Sequence, residues 1–370
     1  MPLALGCDPV GAPQASIIMM GFEIIGTGHY VPGKPFTNDD LTRVMDTSDE
    51  WIFKRSGIRQ RHFAPEGVGA TDLGTEAAKR AIEMAGISPK QIDYIIFATM
   101  TPDFIIPGPG ALLGAKLGLE GVPALDIRQQ CGAMIFSLQL IDSLIKSGAA
   151  KTILFVGAEA HAGFMPWEDW DALAGTPGYK PVTPEARERA NRHRALAVLF
   201  GDGAGALIFR ATDRDAGLRG LKVHTDGRYA ELLYVPGGGF RTRPYWNANM
   251  FDEQAHVPRM DGKELFKFAV TKLPECARAL CKEADVTIDQ IDWFLAHQAN
   301  QRINEFVREK LKVPEEKMPM NIDRFGNTSA GTIPILIDEL TRAGKLKRGD
   351  LNMMLALGAG LHWGCALLRW

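Results

Sequence analysis

The stretch Ile87-Ser88-Pro89-Lys90-Gln91-Ile92-Asp93-Tyr94-Ile95-Ile96-Phe97-Ala98-Thr99 decides the fold, because the chain carries it twice. Its counterpart is Val286-Thr287-Ile288-Asp289-Gln290-Ile291-Asp292-Trp293-Phe294-Leu295-Ala296-His297-Gln298. In both, an amphipathic helix leads through Gln-Ile-Asp and an aromatic residue into an apolar strand. One such match could be chance, so the surrounding sequence has to agree. It does.

After Cys131 the chain reaches Leu140-Ile141-Asp142-Ser143-Leu144-Ile145-Lys146-Ser147-Gly148. After Asn327 it reaches Leu336-Ile337-Asp338-Glu339-Leu340-Thr341-Arg342-Ala343-Gly344. Counted back from the Ile-Asp pairs, Cys131 and Asn327 are expected at equivalent places, each at the N-terminus of an equivalent helix. A third match sets Gly201-Asp202-Gly203-Ala204-Gly205-Ala206-Leu207-Ile208-Phe209 against Gly358-Ala359-Gly360-Leu361-His362-Trp363-Gly364-Cys365-Ala366-Leu367-Leu368. Self-similarity on this scale marks a duplicated unit. Apolar strands alternating with amphipathic helices make each unit α/β. The predicted fold is a duplicated five-layered αβαβα sandwich with a site at the pseudo-twofold junction. Residues 1–20 read as a loose extension, 21–213 as the first half and 214–370 as the second, divided at a charged, glycine-bearing link.

Bulk properties narrow the function classes. A chain of 370 residues with 46% hydrophobic and 23% charged residues is ordinary for a globular protein. A formal net charge of -2 gives no electrostatic case for nucleic acid or a membrane surface as the main partner. The five cysteines are Cys7, Cys131, Cys276, Cys281 and Cys365; their spacing suggests neither a disulfide framework nor a metal site. A cytoplasmic location is expected, with no apolar run long enough to span a bilayer.

Three residues carry the chemistry. Cys131 ends Ala124-Leu125-Asp126-Ile127-Arg128-Gln129-Gln130-Cys131, a strand that turns through small residues into a helix. At a helix N-terminus the thiol meets unpaired N–H groups and the positive dipole end. Its pKa is therefore expected below the free value of about 8.5. His297 closes an apolar strand, and Asn327 lies in Gly326-Asn327-Thr328-Ser329-Ala330-Gly331. Singly, these read as a core histidine and a helix cap. Together with a cysteine they suit acyl transfer: the thiol holds an acyl group while two neutral donors stabilise the enolate left when a malonyl group loses carbon dioxide. The N–H groups of Cys131 and of the Gly358-Ala359-Gly360 turn would form a second oxyanion hole. Gly201-Asp202-Gly203-Ala204-Gly205 precedes a strand, whereas a dinucleotide fingerprint follows one, so tight packing between halves is the better reading. Trp51 and Arg55 offer an aromatic plane and a cation for an adenine and a phosphate; a core tryptophan beside a surface ion pair fits equally.

From Phe22 to Trp370 the sequence resembles 3-oxoacyl-[acyl-carrier-protein] synthase III, a family of thiolase-fold condensing enzymes. The resemblance rests on Thr47-Ser48-Asp49-Glu50-Trp51-Ile52, Arg55, Gly57-Ile58-Arg59, Arg61-His62, Cys131, Gly201-Asp202-Gly203-Ala204-Gly205, His297-Gln298-Ala299-Asn300, Arg302-Ile303, Gly326-Asn327-Thr328-Ser329-Ala330 and Trp363-Gly364. It implies a Cys131-His297-Asn327 triad, a homodimer, an acyl-CoA primer and a malonyl-acyl carrier protein, with coenzyme A thioester as substrate and no cofactor or metal. By position it puts Trp51, Arg55 and Arg194 at the CoA adenine end, and Gly262, Phe266 and Ile303 along the CoA arm. Arg302 falls in the carrier-protein patch. Ile106 falls where a residue of the partner subunit closes the acyl pocket, and Leu357 lies at the pocket neck.

Departures from the family pattern concern the primer more than the chemistry. They include Gly132-Ala133-Met134 after the cysteine, Ala359 in place of a usual glycine, Lys263 in place of a frequent asparagine, and two longer segments, Ala160–His193 and Gly237–Arg259. Ile106 is smaller than the aromatic residue of short-primer relatives, so a medium-chain or branched primer is expected. The rival readings are non-decarboxylative condensation or acyl transfer in secondary metabolism, and an inactive binding homologue. The first needs a base for an α-proton, and Asp103 and Glu159 are the carboxylates without an assigned place.

Overall fold

The computed structural model describes residues 21–370. The expected loose extension at 1–20 and Cys7 lie outside the described residues. Two sheets form the frame. The first has the order Gly21–Tyr30, Gly203–Thr212, Thr152–Glu159, Tyr94–Ala98, Ala124–Ile127. Its last three strands run parallel and the other two pairings are antiparallel. The second sheet runs Gly217–Thr225, His362–Arg369, Leu351–Gly358, Trp293–Ala296 with the same sense at each step.

The second sheet stops one strand short. The chain after helix Gln301–Leu311 stays unpaired where the first half forms Ala124–Ile127. Pro319 has no N–H for a ladder, and the Asn321 N–H donates to the Gln298 side chain at 3.2 Å. The segment then turns into the helix Ile322–Phe325.

Five layers follow. Two central helices, Ala133–Lys146 and Thr332–Arg342, lie between the sheets and share one core with both of them. Ala70–Ala85 and Pro109–Lys116 cover the outer face of the first sheet, while Gly262–Glu283 and Gln301–Leu311 cover the second. The chain is an α/β protein with the expected αβαβα layering. The two central helices differ in how they are held. Asp338 is fully buried and accepts from Thr27 Oγ1 at 2.5 Å, His29 Nδ1 at 2.6 Å and Arg342 Nε at 2.9 Å. Its counterpart Asp142 only pairs with Lys146 at 2.8 Å, one helical turn on.

The expected equivalence of Cys131 and Asn327 needs correcting. The first central helix has 14 residues and the second 11, so counting back from the Ile-Asp pairs misplaces their starts. The backbone supplies the true marker. Gln130 and Ser329 both adopt left-handed conformations, with φ of 44° and 48°. Each is followed by one residue, a glycine and then the helix, which makes Ala330 the structural counterpart of Cys131. Asn327 stands outside the helix, five positions before Thr332, in a bridge with Phe200.

The segment Ala160–His193 folds onto the body. Met165, Trp167, Ala172, Leu173 and Ala190 join a core with Leu41, Met45, Ile52 and Phe63. Within it Phe63 meets Trp170 edge-on at 5.4 Å and Trp167 at 5.8 Å.

Glycines set the approach of the halves. A Cβ on Gly157 would overlap the carbonyl oxygen of Ala330, and one on Gly205 would lie 2.7 Å from Pro334 Cβ and Ile335 N. The obstacles at both sites are mostly backbone, which cannot swing away. Gly157→Val is expected to destabilise the fold by about 2 kcal/mol or more, as overpacking does. Urea unfolding compared with wild type checks this, and an unchanged midpoint would contradict the close approach.

Candidate active site

Cys131 sits in a helical turn, Gln130–Gly132, that leads directly into the first central helix. Gly358 at the end of its strand backs this turn: a Cβ there would stand 3.0 Å from Cys131 N and 2.9 Å from Gly132 N. With its amide oriented to donate, Gln130 bonds the Ala359 carbonyl at 3.0 Å. The two backbone segments expected to supply oxyanion N–H groups are therefore neighbours.

The thiol is buried, and this corrects an expectation. Burial pushes Cys131 up to about 12, against the opposing pull of the Ser329 hydroxyl and the Asn327 amide. The free site thus holds a thiol, because loss of hydration outweighs the helix N-terminus. Cys131 Sγ lies 3.5 Å from Ser329 Oγ.

Ser329 joins the other two residues to the cysteine. Its N–H donates to Asn327 Oδ1 at 2.8 Å, which leaves the Asn327 amide nitrogen to point the other way. Asn327 is pinned at its own backbone: its N–H donates to Leu199 O at 2.8 Å, and Gly201 N–H donates to its carbonyl at 3.2 Å. The glycine-rich loop therefore serves as close backbone packing, with Gly201 pressed against the Phe325 carbonyl. His297 follows strand Trp293–Ala296, its N–H donating to Leu355 O at 2.8 Å. Its Nδ1 is 2.6 Å from Thr332 Oγ1, which in turn lies 3.0 Å from Ser329 O. His297 Nε2 is buried with no hydrogen-bond partner among the described residues. Burial pushes the imidazole down to about 3, so it is neutral at every physiological pH.

Ser329 and Thr332 carry no role in the sequence reading. Their hydroxyl side chains resemble helix-capping residues, and only the left-handed turn at Ser329 brings them between Cys131 and His297.

The two carboxylates left open are now placed. Glu159 is fully buried and accepts from Thr99 Oγ1 at 2.9 Å, Thr101 Oγ1 at 2.6 Å, Met100 N at 3.1 Å and Thr101 N at 3.2 Å. Asp103 accepts from the backbone N–H and the hydroxyl of Thr71. Both hold loops through these hydrogen bonds, and Glu159 is near enough for its charge to add to the rise of the Cys131 thiol.

Toward the surface, Trp51 is half-buried between two guanidiniums, Arg55 at 4.3 Å and Arg194 at 4.4 Å from its ring centre. Among the described residues Arg55 makes no ion pair; instead Asn300 donates to its carbonyl at 2.9 Å and ties the helix Asp49–Ser56 to Gln301–Leu311. Arg302, exposed, lies 5.8 Å from the Phe266 ring, which packs edge-on to Phe306 at 5.9 Å. Gly262 opens the helix that carries Phe266, and Ile303, half-buried, lies on helix Gln301–Leu311. Leu357 is half-buried opposite Trp363. Ile106 stands apart, 83% exposed on a loop with Phe104 and Ile105. It does not enter its own chain's core. Among the described residues no cluster of three metal-ligating side chains forms.

Comparison with known proteins decides the family. Residues 281–370 match the model of the 3-oxoacyl-[acyl-carrier-protein] synthase III C-terminal domain, and 53–164 match the thiolase N-terminal domain. Beta-ketoacyl-[acyl-carrier-protein] synthase III of Rhizorhabdus wittichii is 38% identical over 94% of this chain and 98% of its own length. The Aquifex aeolicus protein of the same name is 39% identical over 95% of this chain and 100% of its own. The chain belongs to the beta-ketoacyl-[acyl-carrier-protein] synthase III family. Among solved structures, the Aquifex aeolicus synthase superposes with a TM-score of 0.81 over 95% of this chain and all of its own, at 38% identity. The priming beta-ketosynthase of the R1128 polyketide pathway gives 0.79 over 94% and 96%, at 27% identity. Family membership makes this chain a condensing acyltransferase with a thiolase-like fold.

The buried imidazole has a consequence for stability. Its folded pKa lies below its unfolded value of about 6.5, so its contribution is complete above that pH and is lost as pH falls toward 3. Over this window wild type should lose up to about 1.4 kcal/mol per pH unit more than His297→Gln. Denaturant titrations at several pH values measure the difference. Parallel curves would contradict the burial.

Proposed function

We propose that the chain condenses an acyl-CoA primer with a malonyl group carried on acyl carrier protein, releasing carbon dioxide and forming a 3-oxoacyl thioester. One observation supports this reading above others: a buried thiol, a neutral imidazole and a fixed amide are linked through Ser329, while Glu159, the carboxylate whose charge acts on Cys131, is engaged by donors of Thr99, Met100 and Thr101. Such a site can stabilise a carbanion made by decarboxylation but is poorly equipped to make one by removing an α-proton.

In the first half-reaction Cys131 sulfur attacks the primer thioester. The carbon–sulfur bond to CoA breaks, and the thiol proton ends on the departing CoA sulfur. Backbone N–H groups of Cys131 and Ala359 hold the carbonyl oxygen as it gains charge. In the second, the malonyl thioester loses carbon dioxide while His297 and Asn327 donate to its carbonyl oxygen. The carbanion attacks the acyl-cysteine, the carbon–sulfur bond breaks, and Cys131 leaves as a thiolate that takes a proton from solvent. A dry site strengthens each of these donors.

The substrate path follows the surface geometry. Trp51, Arg55 and Arg194 would take the adenine and phosphate end of CoA, Gly262, Phe266 and Ile303 its arm, and Arg302 the acidic surface of the carrier protein. The strand Ala124–Ile127 is an exposed sheet edge carrying exposed Leu125, and Phe104, Ile105 and Ile106 are exposed on the loop before helix Pro109–Lys116. An open apolar edge favours pairing with a second copy. A homodimer would bring Ile106 to the partner's acyl pocket. The described helices include none long and apolar enough to cross a membrane.

Cys131→Ser is expected to abolish covalent acylation, read by mass spectrometry after incubation with acyl-CoA. His297→Ala and Asn327→Ala should still acylate yet lose carbon dioxide release by about 10²–10³-fold, the scale of one oxyanion donor. Near-normal release in both would contradict the enolate site.

Primer choice is a separate matter. With Ile106 and Leu357 around the pocket, medium-chain or branched acyl-CoA should exceed acetyl-CoA in kcat/KM by tens- to hundreds-fold, given about 0.8 kcal/mol per buried methylene. Comparison of acetyl-, isobutyryl-, hexanoyl- and octanoyl-CoA checks this. An acetyl-CoA optimum would mean that another part of the chain fills the pocket.

A further inference from the structure

We propose that Cys276 and Cys365 are a site of reversible oxidation: a hydroperoxide converts the two thiols into a disulfide that ties the helix Gly262–Glu283 to the sheet beneath it, and a thiol reductant releases it. Neither cysteine belongs to the network of Cys131, Ser329 and His297, so this stands apart from the condensation reading. The two residues are 89 positions apart, and no local cysteine spacing shows the pair.

The fold brings the sulfurs together from two layers. Cys365 is fully buried in the second sheet, opposite Leu355 on one side and Lys222 on the other. Cys276 lies on the helix Gly262–Glu283, in the same core. Both are free thiols, and their sulfurs stand 2.7 Å apart, against about 2.05 Å in a disulfide. Bond formation therefore needs only a small shift of side chains already held by packing, and such proximity strongly accelerates a reaction. Cys276 keeps 5% exposure and lies beside the edge strand Gly217–Thr225, its sulfur 4.0 Å from the Lys222 carbonyl oxygen. A small oxidant therefore meets Cys276 before Cys365, which has no exposed surface.

The electrostatics set the same order. A hydrogen bond from the Cys365 thiol, aided by the Lys222 ammonium, holds Cys276 below the usual thiol range against the opposing effect of burial. That hydrogen bond and burial push Cys365 up, and burial raises Cys281 and Cys131 as well. Among the described cysteines Cys276 is thus the first to supply a thiolate. Its sulfur attacks one peroxide oxygen and the oxygen–oxygen bond breaks. The departing hydroxide takes up the proton Cys276 gave away and leaves as water, so Cys276 becomes a sulfenic acid. Its thiolate charge is then gone, which relieves part of the rise on Cys365. The Cys365 sulfur attacks the sulfenic sulfur, the sulfur–oxygen bond breaks, and the Cys365 proton leaves with that oxygen as a second water. Two thiols give up two electrons and one peroxide becomes two waters.

The full chain, reduced and then freed of reductant, is treated with hydrogen peroxide, unfolded in an alkylating reagent, digested and mapped by mass spectrometry. Low doses should give a cross-linked peptide joining Cys276 to Cys365, with Cys131 and Cys281 recovered alkylated. Dithiothreitol added before alkylation should abolish the cross-link. Cys365→Ser should stop at a sulfenic acid on Cys276, trapped by dimedone, while Cys276→Ser should leave Cys365 reduced at the same dose. The oxidised wild type should melt higher than the reduced protein by on the order of 5 °C, because the bond closes a long loop. Absence of the cross-linked peptide, a disulfide to Cys281 instead, or oxidation of Cys131 ahead of Cys276 would each overturn the proposal. So would equal oxidation of Cys365 in Cys276→Ser, and an unchanged Tm would overturn the tie between helix and sheet. Should either serine variant fail to fold, the wild-type peptide map still decides.

Discussion

The two halves meet backbone against backbone, and the site depends on that contact. Gly157 of the first sheet leaves room only for the Ala330 carbonyl, and Gly358 of the second leaves room only for the amides of Cys131 and Gly132. Each sheet thus abuts the turn that opens one central helix, across the pseudo-twofold axis. Side chains at either glycine would push a helix start outward, and a small displacement at a reacting group is costly to catalysis. Close packing here fixes geometry as much as it adds stability.

The same contact dries the site. Burial raises the Cys131 thiol and lowers the His297 imidazole, so both groups rest uncharged. A neutral pair is the inexpensive state of a desolvated site. Charge appears there only when substrate brings it, and then preformed donors meet it without rearranging. The electrostatics favour transient oxyanions over a standing thiolate–imidazolium pair.

Much of this was legible in the sequence. The repeated Gln-Ile-Asp-aromatic stretch leads to the two parallel strands Tyr94–Ala98 and Trp293–Ala296, each in the corresponding place of its sheet. Alternating strands and helices gave the layers, and Cys131, His297 and Asn327 end in one connected network. Three features escaped for physical reasons. A helix can lose a turn without altering its C-terminal pattern, so the Ile-Asp pairs could not reveal that Ala330, not Asn327, matches Cys131. Desolvation depends on what surrounds a thiol, which no local pattern records. The left-handed Ser329, where glycine would be the usual choice, hid the turn that places Ser329 and Thr332 in the site.

The missing fifth strand of the second sheet limits the valence of the molecule. The terminal strand Trp293–Ala296 is largely buried, whereas Ala124–Ile127 is exposed along most of its length. Of the two corresponding sheet ends, only one is open. Twofold pairing of that end with its own copy, as proposed above, would use it up and close such an assembly at two chains. Had the duplication kept both ends alike, each molecule would carry two open edges, and filaments would compete with a closed pair. In such a pair, Pro319 and the diverted Asn321 N–H would act far from the site as a chain terminator for growth.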